Sequence, residues 1–206
     1  MKRRLKIVVT AGPTREYLDP VRFLSNPSTG KMGFAVAEAA ARRGLETVLV
    51  AGPTTLKTPR GVRRVDVVSA REMFAAVKAE GGDILVATAA VADWRPAKRA
   101  ARKLKKEQMS GTLQLVRNPD ILRQVKGPRK VGFAAETGDA IREAARKCRE
   151  KGLEFIVAND VTERGCGFGT DTDRVTFVMP DGTLEQLPMM TKRSIAGKIV
   201  ERLLGR

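Results

Sequence analysis

Apolar residues recur along this 206-residue chain in short unbroken runs, separated by stretches of helical spacing. The runs at residues 4–10, 47–51, 83–89, 130–135 and 155–158 read as strands covered on both faces, as in a parallel sheet. A shorter strand is expected near 64–68. Between the runs, Met32, Val36, Ala39 and Ala40 sit at helical spacing, and Gly44 closes a helix expected over 29–43. Ser69 followed by Glu72 forms a capping box for the next helix, whose stripe is Met73, Ala76 and Val77. Asn118 reads as the cap of another helix, with Pro119 at its first position. Helices are also expected over 137–151 and 191–204. Strands at 174–179 and 183–187, joined by Pro180-Asp181-Gly182, form a terminal hairpin.

Strands alternating with helices imply a single α/β domain over residues 1–206. It is a Rossmann-like, doubly wound, mostly parallel sheet with helices on both faces and a C-terminal hairpin and helix. Three connections are unusually long: 11–28, 89–117 and 159–173. All leave the carboxyl ends of strands, so they are expected to gather on one edge of the sheet. Excess loop length of this kind is usually functional. The first connection joins a strand to a helix N-terminus near Ser28, the arrangement that cradles a phosphate with backbone N–H groups and the helix dipole. It also carries Thr14, Arg15, Asp19, Arg22, Ser25 and Asn26.

Composition narrows the chemistry. With 42% hydrophobic and 30% charged residues the chain is globular. No apolar run is long enough to span a bilayer, no signal-peptide cleavage site follows the N-terminus, and the expected compartment is the cytoplasm. Histidine is absent, which excludes a Ser-His-Asp triad and the usual zinc sites. Cys148 and Cys166 make neither a metal cluster nor a disulfide framework. Net charge is +16, from 39 Lys+Arg against 23 Asp+Glu, and such a field attracts polyanions. Aromatics are only 4% and the basic residues are spread over all segments, which favours a polyphosphorylated small substrate over nucleic acid.

Familiar nucleotide motifs fail. Gly30-Lys31 is followed by Met32, so no hydroxyl stands where a P-loop needs one. The dinucleotide fingerprint is absent after the first strand, and the second strand ends Ala51-Gly52 without an acidic ribose ligand. An NADP-dependent reductase using Lys57 and Arg60 is therefore disfavoured. Asp93 stands at the exit of an apolar strand, followed by Lys103-Leu104-Lys105-Lys106; a carboxylate there can meet ribose hydroxyls or a cation, and arm lysines can meet phosphates. Taken alone, such a lysine run is more often a solvated loop. Lys147 and Lys151 share one helix face near its C-terminus, where dipole complementation is the simpler explanation. Phe133 is core or flanks a base. Cys166, without a histidine, reads as a flap residue and not a nucleophile. Arg22 can clamp a phosphate or carboxylate, and Asn26 can bond an acyl oxygen or simply form a turn before Pro27.

Taken together, these strings resemble one family: phosphopantothenoylcysteine synthetase, the phosphopantothenate–cysteine ligase of coenzyme A biosynthesis. The matching stretches are Thr10-Ala-Gly-Pro-Thr-Arg-Glu, Asp19-Pro-Val-Arg-Phe-Leu-Ser-Asn26, Ser28-Thr-Gly-Lys-Met-Gly, Ala89-Ala-Val-Ala-Asp93, Lys103-Leu-Lys-Lys, Asn118-Pro-Asp-Ile, Gly132-Phe-Ala-Ala-Glu and Ala158-Asn-Asp. They come in the family's order across essentially the whole chain. The resemblance implies attack of the 4′-phosphopantothenate carboxylate on CTP, giving an acyl-cytidylate, then amide formation with L-cysteine and release of CMP, assisted by Mg²⁺. It implies catalytic roles for Asn26, Arg22 and Lys103. It also implies a nucleotide site formed by Gly12, Ser28, Ala89, Asp93, Lys103, Asn118, Pro119, Asp120, Ile121, Phe133, Lys147 and Lys151. It names no metal ligands. A homodimer is implied, with the excursion after Asp93 reaching the partner, and so is a decarboxylase fused to or working with the ligase. No nucleic acid or membrane partner is expected.

Overall fold

The computed structural model describes residues 3–106, 111–136 and 140–205. Its frame is an eight-stranded sheet. In chain order the strands are β1 (Lys6–Ala11), β4 (Glu46–Ala51), β5 (Val62–Asp66), β6 (Ile84–Ala87), β9 (Arg129–Glu136), β10 (Phe155–Asp160), β12 (Thr176–Val178) and β13 (Leu184–Gln186). The remaining short strands form three two-stranded pairs outside it: β2 (Arg15–Tyr17) with β3 (Phe23–Ser25), β7 (Trp94–Pro96) with β8 (Leu115–Arg117), and β11 (Thr172–Asp173) with β14 (Met190–Thr191). The spatial order is β13-β12-β10-β9-β6-β1-β4-β5. The six strands from β10 to β5 are parallel, and β12 and β13 add an antiparallel edge. The order reverses between β1 and β6, the switch point where ligands bind in doubly wound sheets.

The helices are α1 (Lys31–Arg42), α2 (Ala70–Glu80), α3 (Ile121–Gln124), α4 (Ala140–Glu150) and α5 (Lys192–Leu203). Strand periodicity sorts them onto two faces. Ile7, Val9, Leu49, Val131, Phe155 and Val157 pack with α1 and α5. Val8, Val48, Val50 and Leu85 pack with α2 and α3, while Ala134, Ile156 and Ala158 pack with Ala144 and Cys148 of α4. Leu122 touches both of the latter groups, so α2, α3 and α4 share the second face. α1 lies close because its inward side is small: at Gly33 an added Cβ would stand 2.4 Å from Thr88 Oγ1 and 2.5 Å from Ala11 Cβ.

The expected alternation, terminal hairpin and closing helix are all present. Two expectations change. The cap of α3 is Asp120, whose carboxylate accepts from Arg123 N at 3.1 Å, and not Asn118. Asn118 is drawn elsewhere, donating from Nδ2 to Ala92 O at 2.8 Å. The stretches 11–28 and 89–117 also carry hairpins, because their short strands alternate too briefly to stand out from loop sequence. The first three residues of the helix expected over 137–151 lie outside the described residues.

Candidate functional site

The three long connections leave the carboxyl ends of β1, β6 and β10, and the first, with the start of α1 into which it leads, touches each of the other two. On one side, β2–β3 holds the strap that follows β6. Asn26 Nδ2 donates to Ala90 O at 3.0 Å, and Ala92 N donates to Thr14 Oγ1 at 3.0 Å. Asp19, with 0% of its side chain exposed, accepts from Val21 N, Arg22 N and the Arg22 guanidinium, and from Leu104 N at 3.2 Å. Arg22 beside it holds the Asp19 carboxyl well below the usual carboxylate range. Arg22 also donates to Leu104 O at 2.9 Å. The expected substrate clamp is thus, in this arrangement, an anchor between the 19–22 turn and the segment carrying Lys103. Lys103 and Asp93 are both exposed. Asp93 O accepts from Asn118 N at 2.8 Å, which seats β7 against the start of α3.

On the other side lies a partly open cavity of about 80 Å³, between the N-terminus of α1 and the connection after β10. Its lining includes Ser28, Thr88, Phe133, Asn159, Asp173 and Lys192. Thr88, Phe133 and Asn159 share the strand parity that faces α1 and α5. α2, α3 and α5 are capped by Ser69, Asp120 and Thr191, but α1 begins at left-handed Gly30 (φ 85°) with no side-chain cap. Its first N–H groups are therefore open to an anion. Gly12 supports this end from below: a Cβ on Gly30 would lie 3.2 Å from Gly12 N, so the two loops pass at backbone contact. Lys31 Nζ reaches Gly169 O and Asp171 Oδ1, both at 2.7 Å, tying the flap over the cavity. Lys192, 8% exposed, donates to Gly167 O at 2.7 Å. Burial pushes the Lys192 ammonium down and the Asp173 carboxyl up from their ordinary values. Asn159 Nδ2 donates to both oxygens of Asp173 at 3.2 Å. The cavity thus offers two ammonium groups and a helix N-terminus to an anion, beside a carboxyl that suits a ligand's N–H or O–H.

The expected nucleotide residues divide between the two faces. Ser28 and Phe133 line the cavity. Ala89 packs on the opposite face, as does Ile121, which follows Asn118, Pro119 and Asp120. Lys151 Nζ meets Asp120 Oδ2 at 3.0 Å, and Lys147 lies 3.6 Å from Glu143. These two groups form one site only if a ligand straddles the rim of the sheet. Lys130 ties the second group together: 8% exposed, it donates to Leu122 O at 2.9 Å and Lys151 O at 2.7 Å. Burial, with Lys126 nearby, pushes its ammonium down.

Lys31, Thr88, Asp173, Lys192 and Lys130 went unrecognised in the sequence. Only Lys31, inside the loop–helix junction, had a visible signal. Cys166 is 7% exposed and burial raises its thiol, in keeping with a packed flap residue. Among the described residues no group of three or more acidic or cysteine side chains could hold a metal ion.

A family model, the DNA/pantothenate metabolism flavoprotein C-terminal domain, matches residues 2–205. The chain is similar to the coenzyme A biosynthesis bifunctional protein CoaBC of Vibrio parahaemolyticus, at 46% identity over 96% of this chain and 51% of that protein. It is 44% identical to CoaBC of Escherichia coli, over 99% of this chain and 52% of that one. The chain thus spans about half the length of the curated relatives it matches. A crystal structure of the C-terminal domain of CoaBC superposes with a TM-score of 0.81 at 41% identity, covering 98% of this chain and 97% of that one. The DNA/pantothenate metabolism flavoprotein from Streptococcus pneumoniae, at 22% identity and a TM-score of 0.83, shares the fold.

Proposed function

The chain belongs to the DNA/pantothenate metabolism flavoprotein C-terminal domain family, and from that premise we propose that it is a phosphopantothenate–cysteine ligase of coenzyme A biosynthesis. A 4′-phosphopantothenate carboxylate oxygen attacks the α-phosphorus of CTP. The bond to the β-phosphate breaks and pyrophosphate leaves. The amine of L-cysteine then attacks the acyl carbon of the cytidylate, the acyl–oxygen bond breaks, and CMP departs with formation of the amide. Both steps depend on positioning and on neutralising phosphate charge, which lysines and helix N–H groups supply without a histidine.

The observation that carries this reading is the near-complete overlap with the C-terminal domain of CoaBC. The geometry supports particular roles. Asn26, whose amide donates to Ala90 O beside the β1–β6 switch point, orients the acyl group in this reading. Lys103, exposed beside the anchored Leu104, is free to swing onto phosphates. Asp93, Asn118–Ile121 and Lys151 take the nucleoside end, and the cavity at α1 takes an anionic end. Mg²⁺ would neutralise phosphate charge; with no protein cage among the described residues, it fits as an ion carried on the triphosphate with at most a carboxylate such as Asp93.

The exposed apolar side chains Val21, Phe23, Trp94 and Leu115 on the two rim hairpins support a homodimer. The bifunctional relatives support a decarboxylase as the functional or fused partner. No helix among the described residues is long and apolar enough to cross a membrane, and a cytoplasmic setting belongs to the same proposal. The test is an end-point assay with 4′-phosphopantothenate, L-cysteine, Mg²⁺ and either CTP or ATP. Cysteine-dependent amide product and stoichiometric pyrophosphate with CTP are expected. Release with ATP alone would correct the nucleotide, and no product with either would overturn the reading.

A further inference from the structure

A second cleft, of about 260 Å³, opens between β2, β7 and the start of α2. Four arginines line it: Arg15, Arg71, Arg95 and Arg99. Arg15 and Arg95 are half-buried and Arg71 and Arg99 exposed, and none of the four forms an ion pair among the described residues. The two acidic residues in the cleft already accept from backbone groups. Glu16 Oε1 takes Ala70 N at 2.8 Å, and Glu72 Oε2 takes Val68 N at 2.8 Å. Four guanidiniums against two engaged carboxylates leave the cleft with a local surplus of positive charge.

Two of these guanidiniums are held in place by aromatic faces. Arg15 lies 4.6 Å over Phe23, Arg99 lies 5.1 Å over Tyr17, and the two rings meet at 5.2 Å. Stacking fixes the plane of a guanidinium while its N–H edge remains able to bond an oxyanion. Carboxylate and phosphoryl oxygens both accept such paired N–H donors, and four guanidiniums around one cleft favour the more highly charged phosphoryl group. We propose that this cleft is a binding site for a small phosphoryl anion, a phosphate monoester or diphosphate, separate from the ligase site. Arg95 connects the two: it also donates to Arg117 O and, at 3.2 Å, to Asn118 Oδ1. An anion drawn between β2 and β7 therefore steadies the hairpin that leads to Asn26 and the residue that opens the nucleotide segment.

The test is titration of the isotope-labelled full chain with inorganic phosphate at constant ionic strength, followed by amide chemical shifts. Saturable shifts at residues 68–72 and 95–99 are expected. Affinity read from these shifts should fall about tenfold or more in Arg71→Gln/Arg99→Gln, while shifts at residues 28–33 stay as in the parent. Arg71→Gln alone, which removes no ion pair among the described residues, checks that the loss is not misfolding and should weaken the same shifts. Absence of saturable shifts at 68–72 and 95–99, or unchanged affinity in both variants, would overturn the proposal. Neither result depends on whether the ligase assay succeeds.

Discussion

At the centre of the sheet, Ile7, Val9, Leu49, Val86 and Val131 are each 0% exposed, and β1, β4, β6 and β9 are held by apolar area from both faces. At its rim, β2–β3 and β7–β8 expose Val21, Phe23, Trp94 and Leu115 and are fastened by hydrogen bonds, among them Asn26 on Ala90, Asp19 and Arg22 on Leu104, and Asn118 on Ala92. Apolar burial is non-directional, so the centre specifies a shape that many side chains could fill. Hydrogen bonds are directional, so the rim fixes the position of particular atoms. On the proposed function, the centre carries most of the stability and the rim carries the chemistry, and substitutions should separate the two.

The largest effect belongs to the centre. Phe155→Ala empties the space beside Phe177, whose ring stands 5.4 Å away. It should cost about 3–5 kcal/mol in urea unfolding, while the folded fraction keeps its turnover. At the rim, Asn26→Asp places a negative charge against Ala90 O and the acyl group. It should lower kcat/KM by about 100-fold with little change in midpoint. Lys103→Gln, at an exposed position, should slow turnover by about 10-fold or more and leave the melting temperature unchanged. Normal activity in either variant would place the chemistry elsewhere.

Asp19→Asn tests the anchor through pH. Arg22 keeps the Asp19 carboxyl ionised to lower pH in the fold than in the unfolded chain. Its stabilisation is therefore complete above the ordinary carboxylate pKa and is lost as pH falls through that range toward the depressed folded value. The stability gap between parent and variant should be widest at neutral pH and close in acid, as read by thermal melts. The smallest effect is at Lys130→Met, which unties α3 from the end of α4. KM for the nucleotide should rise by about 2- to 10-fold, with KM for phosphopantothenate unmoved. A uniform loss in both would mean that Lys130 serves only the fold.

The division between centre and rim also explains what could be read from sequence. Unbroken apolar runs marked β1, β4, β6, β9 and β10, while β5, interrupted by Arg63 and Arg64, was expected two residues later than it lies; helical spacing marked α1 and α2, because burial imposes periodicity on residue type. Loop length and composition marked the three connections but not their hairpins, since three-residue strands such as Phe23–Ser25 carry almost no period. Ser28 and Phe133, expected in a nucleotide site, line the cavity, yet the expected nucleotide residues split across the sheet, because alternation sends Phe133 and Ala134 to opposite faces. Lys192 and Asp173 were illegible: a charged residue shows its burial only once the flap and α5 are folded around it. Arg22 had the right chemistry for a clamp, but its buried partner three residues earlier has no sequence signature beyond a turn.

Hydrogen exchange of the full chain with and without CTP and Mg²⁺ tests the convergence of the three connections most directly. Slowed exchange in residues 13–27, 88–100 and 161–171 together, with β4 and β5 unchanged, is the predicted result. Protection confined to one connection, or protection absent from all three, would contradict a shared site at the sheet's carboxyl rim.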